Sequence, residues 1–306
     1  MDHILTTIIP IFSLVLLGAF ARIIGFLPTD FLGPANRLVY YLAIPAMIFR
    51  AIANASLDLQ ANSAVIWLTL LTLVLFFLFC MVISRAWPMA PSIRGAFIQC
   101  SFHGNLGYIG LAVAYYYLGS NGLAGASILA AFIMILQNFL AVTVLQTHRR
   151  SGFNRSQMMA VLGKIAGNPV ILSAIAGICV SVANITIAQV VDRSLKILSG
   201  LALPMALLII GGSISIKLMK TKLLTVLGSS VLKLVVLPTL GLLLFRLFGQ
   251  TSKETLPAMI LLASPTATIA YVMAREMGGD ADFAIAAISA STLISAVTFS
   301  FWLSVV

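Results

Sequence analysis

The sequence predicts an all-α integral membrane protein of ten transmembrane helices, arranged as two five-helix repeats of inverted topology. Three observations carry that reading: a composition with too little charge for a water-facing surface, apolar stretches that recur at bilayer length, and an offset of 159 residues that lays the second half of the chain on the first. Of 306 residues, 61% are hydrophobic and only 8% are charged, whereas a soluble domain carries roughly a quarter of its residues charged. Mean hydropathy is +1.10. A hydrocarbon core of about 30 Å takes roughly 20 apolar residues per helix, and stretches of that length run the whole way along the chain.

In order, the first five spans are 4–24, 31–52, 62–84, 95–117 and 122–146. The first is too long for a signal-peptide core and is followed by no small-residue cleavage pattern, so it reads as a retained helix. A basic linker, 147–164, with His148, Arg149, Arg150, Arg155 and Lys164, divides the chain into repeats 1–146 and 165–306. The second five spans are 168–184, 195–216, 223–247, 256–275 and 282–304.

The formal net charge is +10, but the cations sit singly or in twos and threes between apolar segments. This is the pattern of a protein recording its orientation, and it argues against a nucleic-acid partner. The side reached by odd-numbered loops holds twelve Lys and Arg residues, against five on the other side. That bias puts the linker in the cytoplasm and both termini outside, in a plasma (bacterial inner) membrane. Cys80, Cys100 and Cys179 are odd in number and scattered inside apolar segments, so they imply no disulfide framework, metal site or cofactor.

The 159-residue offset pairs Pro10 with Pro169, Gly18 with Gly177, Gly119 with Gly278, and the segment Leu42–Pro45 with Leu201–Pro204. With five spans in each half, the second half enters the membrane from the opposite side. Inverted repeats of this kind belong to secondary transporters, whose substrate sites lie near the midplane where helices are interrupted. Two spans carry such interruptions. The fourth has three glycines and an asparagine within seven residues, at Gly104, Asn105, Gly107 and Gly110, a poor helix interior. The ninth has Ser264, Pro265, Thr266, Ala267 and Thr268, and its proline removes a backbone donor. The offset places Asn105 on Ser264. Interrupted helices present free N–H groups and positive half-helix ends, which favour an anion. Asn105, Ser264, Thr266 and Thr268 add hydrogen-bonding groups for a carboxylate.

These segments resemble those of the auxin efflux carrier family, which includes plant auxin exporters and bacterial malonate or malate permeases. The resemblance runs nearly end to end. It rests on Tyr41–Phe49 with Pro45, on Gly104–Gly110, on Gly167-Asn168-Pro169, on Leu232–Pro238 with Lys233, and on Ser264-Pro265 through Ala274-Arg275-Glu276. The family implies a fold similar to the bile-acid sodium symporters. Spans one, two, six and seven (1–55 and 165–218) would form a scaffold, and 60–146 with 222–306 a moving transport domain. Spans four and nine would cross at their broken middles. The family further implies that His103, Gly104, Asn105, Ser264, Pro265, Thr266 and Thr268 line the site, with Pro45 facing them. Many relatives carry a proline where this chain has Gly104, and the long cytoplasmic loop of the plant members is here a short linker. The resemblance therefore points to a small carboxylate rather than auxin.

Two more residues are candidates for coupling or counter-charge. Lys233 falls mid-span, where a lysine costs about 2.5–3.5 kcal/mol on insertion scales; it is either a counter-charge, a proton carrier or a carbonyl-paired structural lysine. His103 lies two residues before Asn105 and ionises near neutral pH when unperturbed, so it either carries a proton or is a hydrogen-bonded structural histidine. All eight acids lie in or near loops, which favours proton coupling or uniport over a sodium site. The expected function is alternating-access transport of a small organic anion, a mono- or dicarboxylate such as malate or malonate. The alternative is a membrane sensor that binds a carboxylate without moving it. A membrane enzyme is disfavoured by the lack of any catalytic cluster. The bilayer is a partner, and a homodimer is compatible with the sequence.

Overall fold

A computed structural model describes residues 2–55, 63–148, 159, 163 and 167–306; the basic linker expected at 147–164 lies almost wholly outside them. Among the described residues the protein is all-helical. Six helical stretches are long and apolar enough to cross a bilayer: Asp2–Ile23, Ser63–Ala86, Leu106–Thr147, Gln189–Gly212, Leu223–Leu247 and Ala281–Val305. The chain is a multi-pass membrane protein. It divides into two compact units, Met1–Asn62 with Gly107–Ala131 and Ala166–Ile214, and Ser63–Leu106 with Phe132–Ile165 and Ser215–Val306.

The first unit contains α1 (Asp2–Ile23), α2 (Thr29–Leu38), α3 (Ile44–Ala53), α7 (Pro169–Val182), α8 (Gln189–Ser199) and α9 (Ala202–Gly212). The leading part of α6 (Leu111–Thr147) joins them. Its helices are held close by missing side chains. A methyl group on Gly18 would come within 2.2 Å of the Leu208 carbonyl oxygen, and one on Gly211 within 1.9 Å of the Val15 carbonyl oxygen. α3 and α7 meet in the same way, with Gly177 against Phe49 O and Ile52 Cβ at 3.1 and 2.9 Å. The two approaches are equivalent at the 159-residue offset: Gly18 corresponds to Gly177, and Phe49 to Leu208. At the start of α8, Asp192 pairs with Arg50 at 2.8 Å and accepts from Asn54. That pairing explains why helix begins at Gln189 rather than at the expected 195: its charged first turns are satisfied within the unit.

The second unit contains α4 (Ser63–Ile83), α5 (Pro91–Phe102), α10 (Ile216–Thr221), α11 (Leu223–Val231), α12 (Leu237–Leu247), α13 (Ser252–Leu262), α14 (Ile269–Met277) and α15 (Ala281–Val305). The later part of α6 completes it. Hydroxyls in these helices mostly bond back to the preceding turn, as Thr69 does to Val65 O and Thr72 to Leu68 O. α13 opens with a capping box in which Thr251 N and Oγ1 both donate to Glu254, and these bonds hold the Glu254 carboxyl below its usual pKa. Asp280 caps α15 through Phe283 N–H and pairs with Lys222.

Three π-helical segments interrupt the regular helices: Val39–Ala43, Leu106–Gly110 and Leu232–Val236. The first and third run directly into Pro45 and Pro238. A proline withholds its own N–H and crowds the carbonyl four residues back, and the helix widens there. For Pro238 that carbonyl is Leu234 O, which accepts from the Trp302 indole at 2.8 Å instead. Five described residues have φ in the left-handed region: Gly25, Gly119, Asn184, Gly249 and Gly278. Four of them form two pairs at the 159-residue offset, Gly25 with Asn184 and Gly119 with Gly278. The Gly119 pair ends the leading part of α6 in one half and α14 in the other.

Gly18→Val is expected to destabilise the protein by roughly 1–3 kcal/mol, because the added carbons must displace backbone. Gly33→Ala, where nothing lies within 4 Å of the new methyl, is expected to leave the melting temperature unchanged or slightly higher. Thermal denaturation in detergent checks both.

Candidate functional site

The interruptions expected in the fourth and ninth spans lie against each other inside the second unit. α5 stops at Phe102, and the chain runs extended through His103 before helix resumes at Leu106. α13 stops at Leu262, and α14 begins at Ile269. Between them, Gly104 and Thr266 form an antiparallel backbone bridge. Asn105 N–H donates to Pro265 O at 2.7 Å, and Ala267 N–H donates to His103 O at 2.8 Å. Each break supplies the other with the partners its own helix has lost.

Side chains complete the pairing. Gln137, on α6, grips the Gly104 peptide from both sides: its Oε1 accepts from Gly104 N–H at 3.1 Å, and its Nε2 donates to Gly104 O at 3.2 Å. Thr266 Oγ1 donates to Cys100 O at 2.8 Å, and Thr266 N–H donates to Ser291 Oγ of α15 at 3.1 Å. Ser264 Oγ donates to Leu261 O at 2.6 Å. Lys233, in the π-helical segment before α12 and 1% exposed, donates to Leu262 O at 2.7 Å. Its ammonium therefore sits at the carbonyl end of α13, where a cation is favoured. A methyl group on Gly104 would lie 2.7 Å from Ser264 Oγ and 3.4 Å from Lys233 Cε. Glycine at 104 lets these groups close on the bridge.

Several polar atoms around the bridge are buried without a hydrogen-bond partner: Gln99 Oε1, His103 Nδ1, Asn105 Nδ2 and Thr292 Oγ1. Such groups are costly unless something else satisfies them.

Of the residues singled out in the sequence, His103, Gly104, Asn105, Ser264, Pro265, Thr266 and Lys233 gather at this crossing. Thr268 is partly exposed at the head of α14. Pro45 belongs to the first unit, where it follows the Val39–Ala43 π-helical segment. Lys233 pairs with a backbone carbonyl, and that one bond leaves its other two N–H donors open. Sequence reasoning missed Gln137, Ser291 and Gln99. Each is a polar residue in an apolar span, and that was the signal available. Among the described residues no three His, Cys, Asp or Glu side chains come together as metal ligands.

The model of the family described as "Membrane transport protein" matches residues 3–303. A protein of Rhizobium meliloti (strain 1021) named "Putative malonate transporter" is 28% identical, over 97% of this chain and 94% of its own length. An uncharacterized transporter of Methanocaldococcus jannaschii is 24% identical over 99% of this chain and 97% of its own. Another, from Methanothermobacter thermautotrophicus, is 22% identical over 97% and 96%.

Gln137→Met keeps the length of the side chain but leaves the Gly104 N–H and C=O buried without their partner. It is expected to cost about 1–3 kcal/mol per orphaned group, read as a lower melting temperature.

Proposed function

Because the chain belongs to the membrane transport protein family, that of the auxin efflux carriers, we propose that it is a secondary active transporter of a small organic anion. The substrate is a mono- or dicarboxylate such as malate or malonate, carried by alternating access. One observation carries this reading above the others: two interrupted helices meet at their breaks, with a buried ammonium and an unpartnered buried amide beside the junction. Interrupted helices at membrane depth are tolerated where they line a site buried in protein. The half-helix ends starting near Leu106 and Ile269 favour negative charge. The name of the Rhizobium relative agrees with a carboxylate substrate.

In this reading the ten spans form two inverted repeats. The paired glycine approaches at Gly18 and Gly177, and the paired left-handed residues at the same offset, support a duplicated five-helix unit. Residues 1–55 and 165–218 would act as the scaffold, and 60–146 with 222–306 would carry the anion. Asn105 and Thr266 would orient the substrate, with Lys233 as its counter-charge and His103 a candidate for proton movement. The bias of Lys and Arg supports a cytoplasmic linker with both termini outside.

Purified protein in liposomes is expected to take up one or more of malonate, malate and other small carboxylates with saturation, faster under an inward proton gradient. Asn105→Ala should lower uptake by roughly ten- to a hundredfold, the worth of about two hydrogen bonds to a buried carboxyl group. A folded Asn105→Ala variant with wild-type uptake would sink the site. Saturable binding without flux would favour a sensor.

A further inference from the structure

The crossing holds a single formal charge. Among the described residues of the second unit, Lys233 is the one buried residue with a charged head group. Its ammonium has three donors and uses one, on Leu262 O. Lys233 Cε lies 3.4 Å from where a side chain would begin on Gly104, and Asn105 is the next residue along the chain. The Asn105 side chain makes no hydrogen bond, and its Nδ2 is buried. An amide presents one acceptor and two donors. A carboxylate offers only acceptors and leaves the amide oxygen unmatched, whereas a protonated carboxyl offers a donor and an acceptor together and closes a ring of two hydrogen bonds with it.

We propose that the site accepts one negative charge, so that a dicarboxylate enters as its monoanion, with the carboxylate on Lys233 and the protonated carboxyl on the Asn105 amide. This deepens the transporter reading above and rests on it. A second carboxylate would find no counter-charge in the crossing, and an unpaired charge at membrane depth is strongly disfavoured. The groups packed against Lys233 supply none. From α5 come Cys100 and His103, with Arg94 at its far end. α11 has no titratable side chain. Arg246 of α12, Lys253 and Glu254 of α13, and Asp282 of α15 lie at the ends of their helices away from the bridge. The proton then travels on the substrate, and a proton gradient drives uptake of a dicarboxylate without His103 having to carry it.

The experiment measures initial uptake of labelled malonate and of malonamate into proteoliposomes, over external pH values that span the second ionisation of malonate. Malonamate is a monoanion at every pH in that window, and its amide end keeps a donor and an acceptor. Malonate uptake at fixed total concentration should fall about tenfold per pH unit on the alkaline side of that ionisation, as the monoanion disappears. Malonamate uptake should stay within about twofold, which separates substrate ionisation from titration of the protein. Malonate uptake that rises with pH, or stays level, overturns the proposal, as does a lack of uptake of both compounds at the acid end. Asn105→Ala in the same assay separates the two claims. If it transports normally, the site itself is misplaced; if it is inactive while wild-type uptake follows the dianion, only the single-charge rule falls.

Discussion

Two backbone hydrogen bonds, from Asn105 N–H to Pro265 O and from Ala267 N–H to His103 O, are the constraint on which the second unit depends. Lipid offers no partner to a bare peptide group, so a helix inside a bilayer can stop only where something else satisfies its backbone. Either break alone would strand several carbonyls and N–H groups. Together they form a short antiparallel bridge, and the remaining groups are taken up by side chains from α6, α15 and the segment before α12. Gln137 closes on the Gly104 peptide, Ser291 accepts the Thr266 N–H, Thr266 caps Cys100 O, and Lys233 caps Leu262 O. The broken backbone and its polar neighbours form one network, and buried networks of this kind are rigid only when nearly all members are satisfied.

That network leaves a few atoms out, and where they lie is informative. A fully satisfied crossing would be a structural joint. Here the Asn105 amide and the His103 imidazole remain unpartnered, next to an ammonium with donors to spare. A surplus of hydrogen-bonding capacity around a single cation is what an anion requires, and the backbone pairing keeps that surplus in place.

The breaks were legible in the sequence because their causes are local. Glycines at 104, 107 and 110 and a proline at 265 weaken a helix whatever surrounds it. Lys233 was legible because a charge in an apolar span needs an explanation. The partners were not. Gln137 and Ser291 look like any polar residue in a helix until the fold brings them within 3.1 Å of the broken peptides. The π-helical turn before Pro238 depends on the Trp302 indole, 68 residues away along the chain, to donate to the displaced Leu234 carbonyl. The start of α8 was misplaced for the same reason. Asp192 and Arg193 read as loop residues, whereas in the structure Asp192 stands in the first turn of the helix and pairs with the distant Arg50 and Asn54. Local chemistry marks where a helix fails, and tertiary structure decides what replaces it.

The 159-residue offset sharpens that distinction. Positions that set backbone geometry recur in both halves: the close approaches at Gly18 and Gly177, and the left-handed residues at Gly119 and Gly278. Positions that carry chemistry do not. Lys233 corresponds to Val74, Pro265 to Leu106, Gln137 to Ala296 and Asn105 to Ser264. In the proposed repeat, glycines at matching positions constrain both halves to the same close approaches, since adding a side chain at either would force backbones apart. The repeat puts no such demand on the groups at the crossing, where one ammonium suffices and a second would face the first across the bridge with no anion to separate them. In the proposed transporter, asymmetry at the centre of the repeat is therefore what a site for one charged ligand requires.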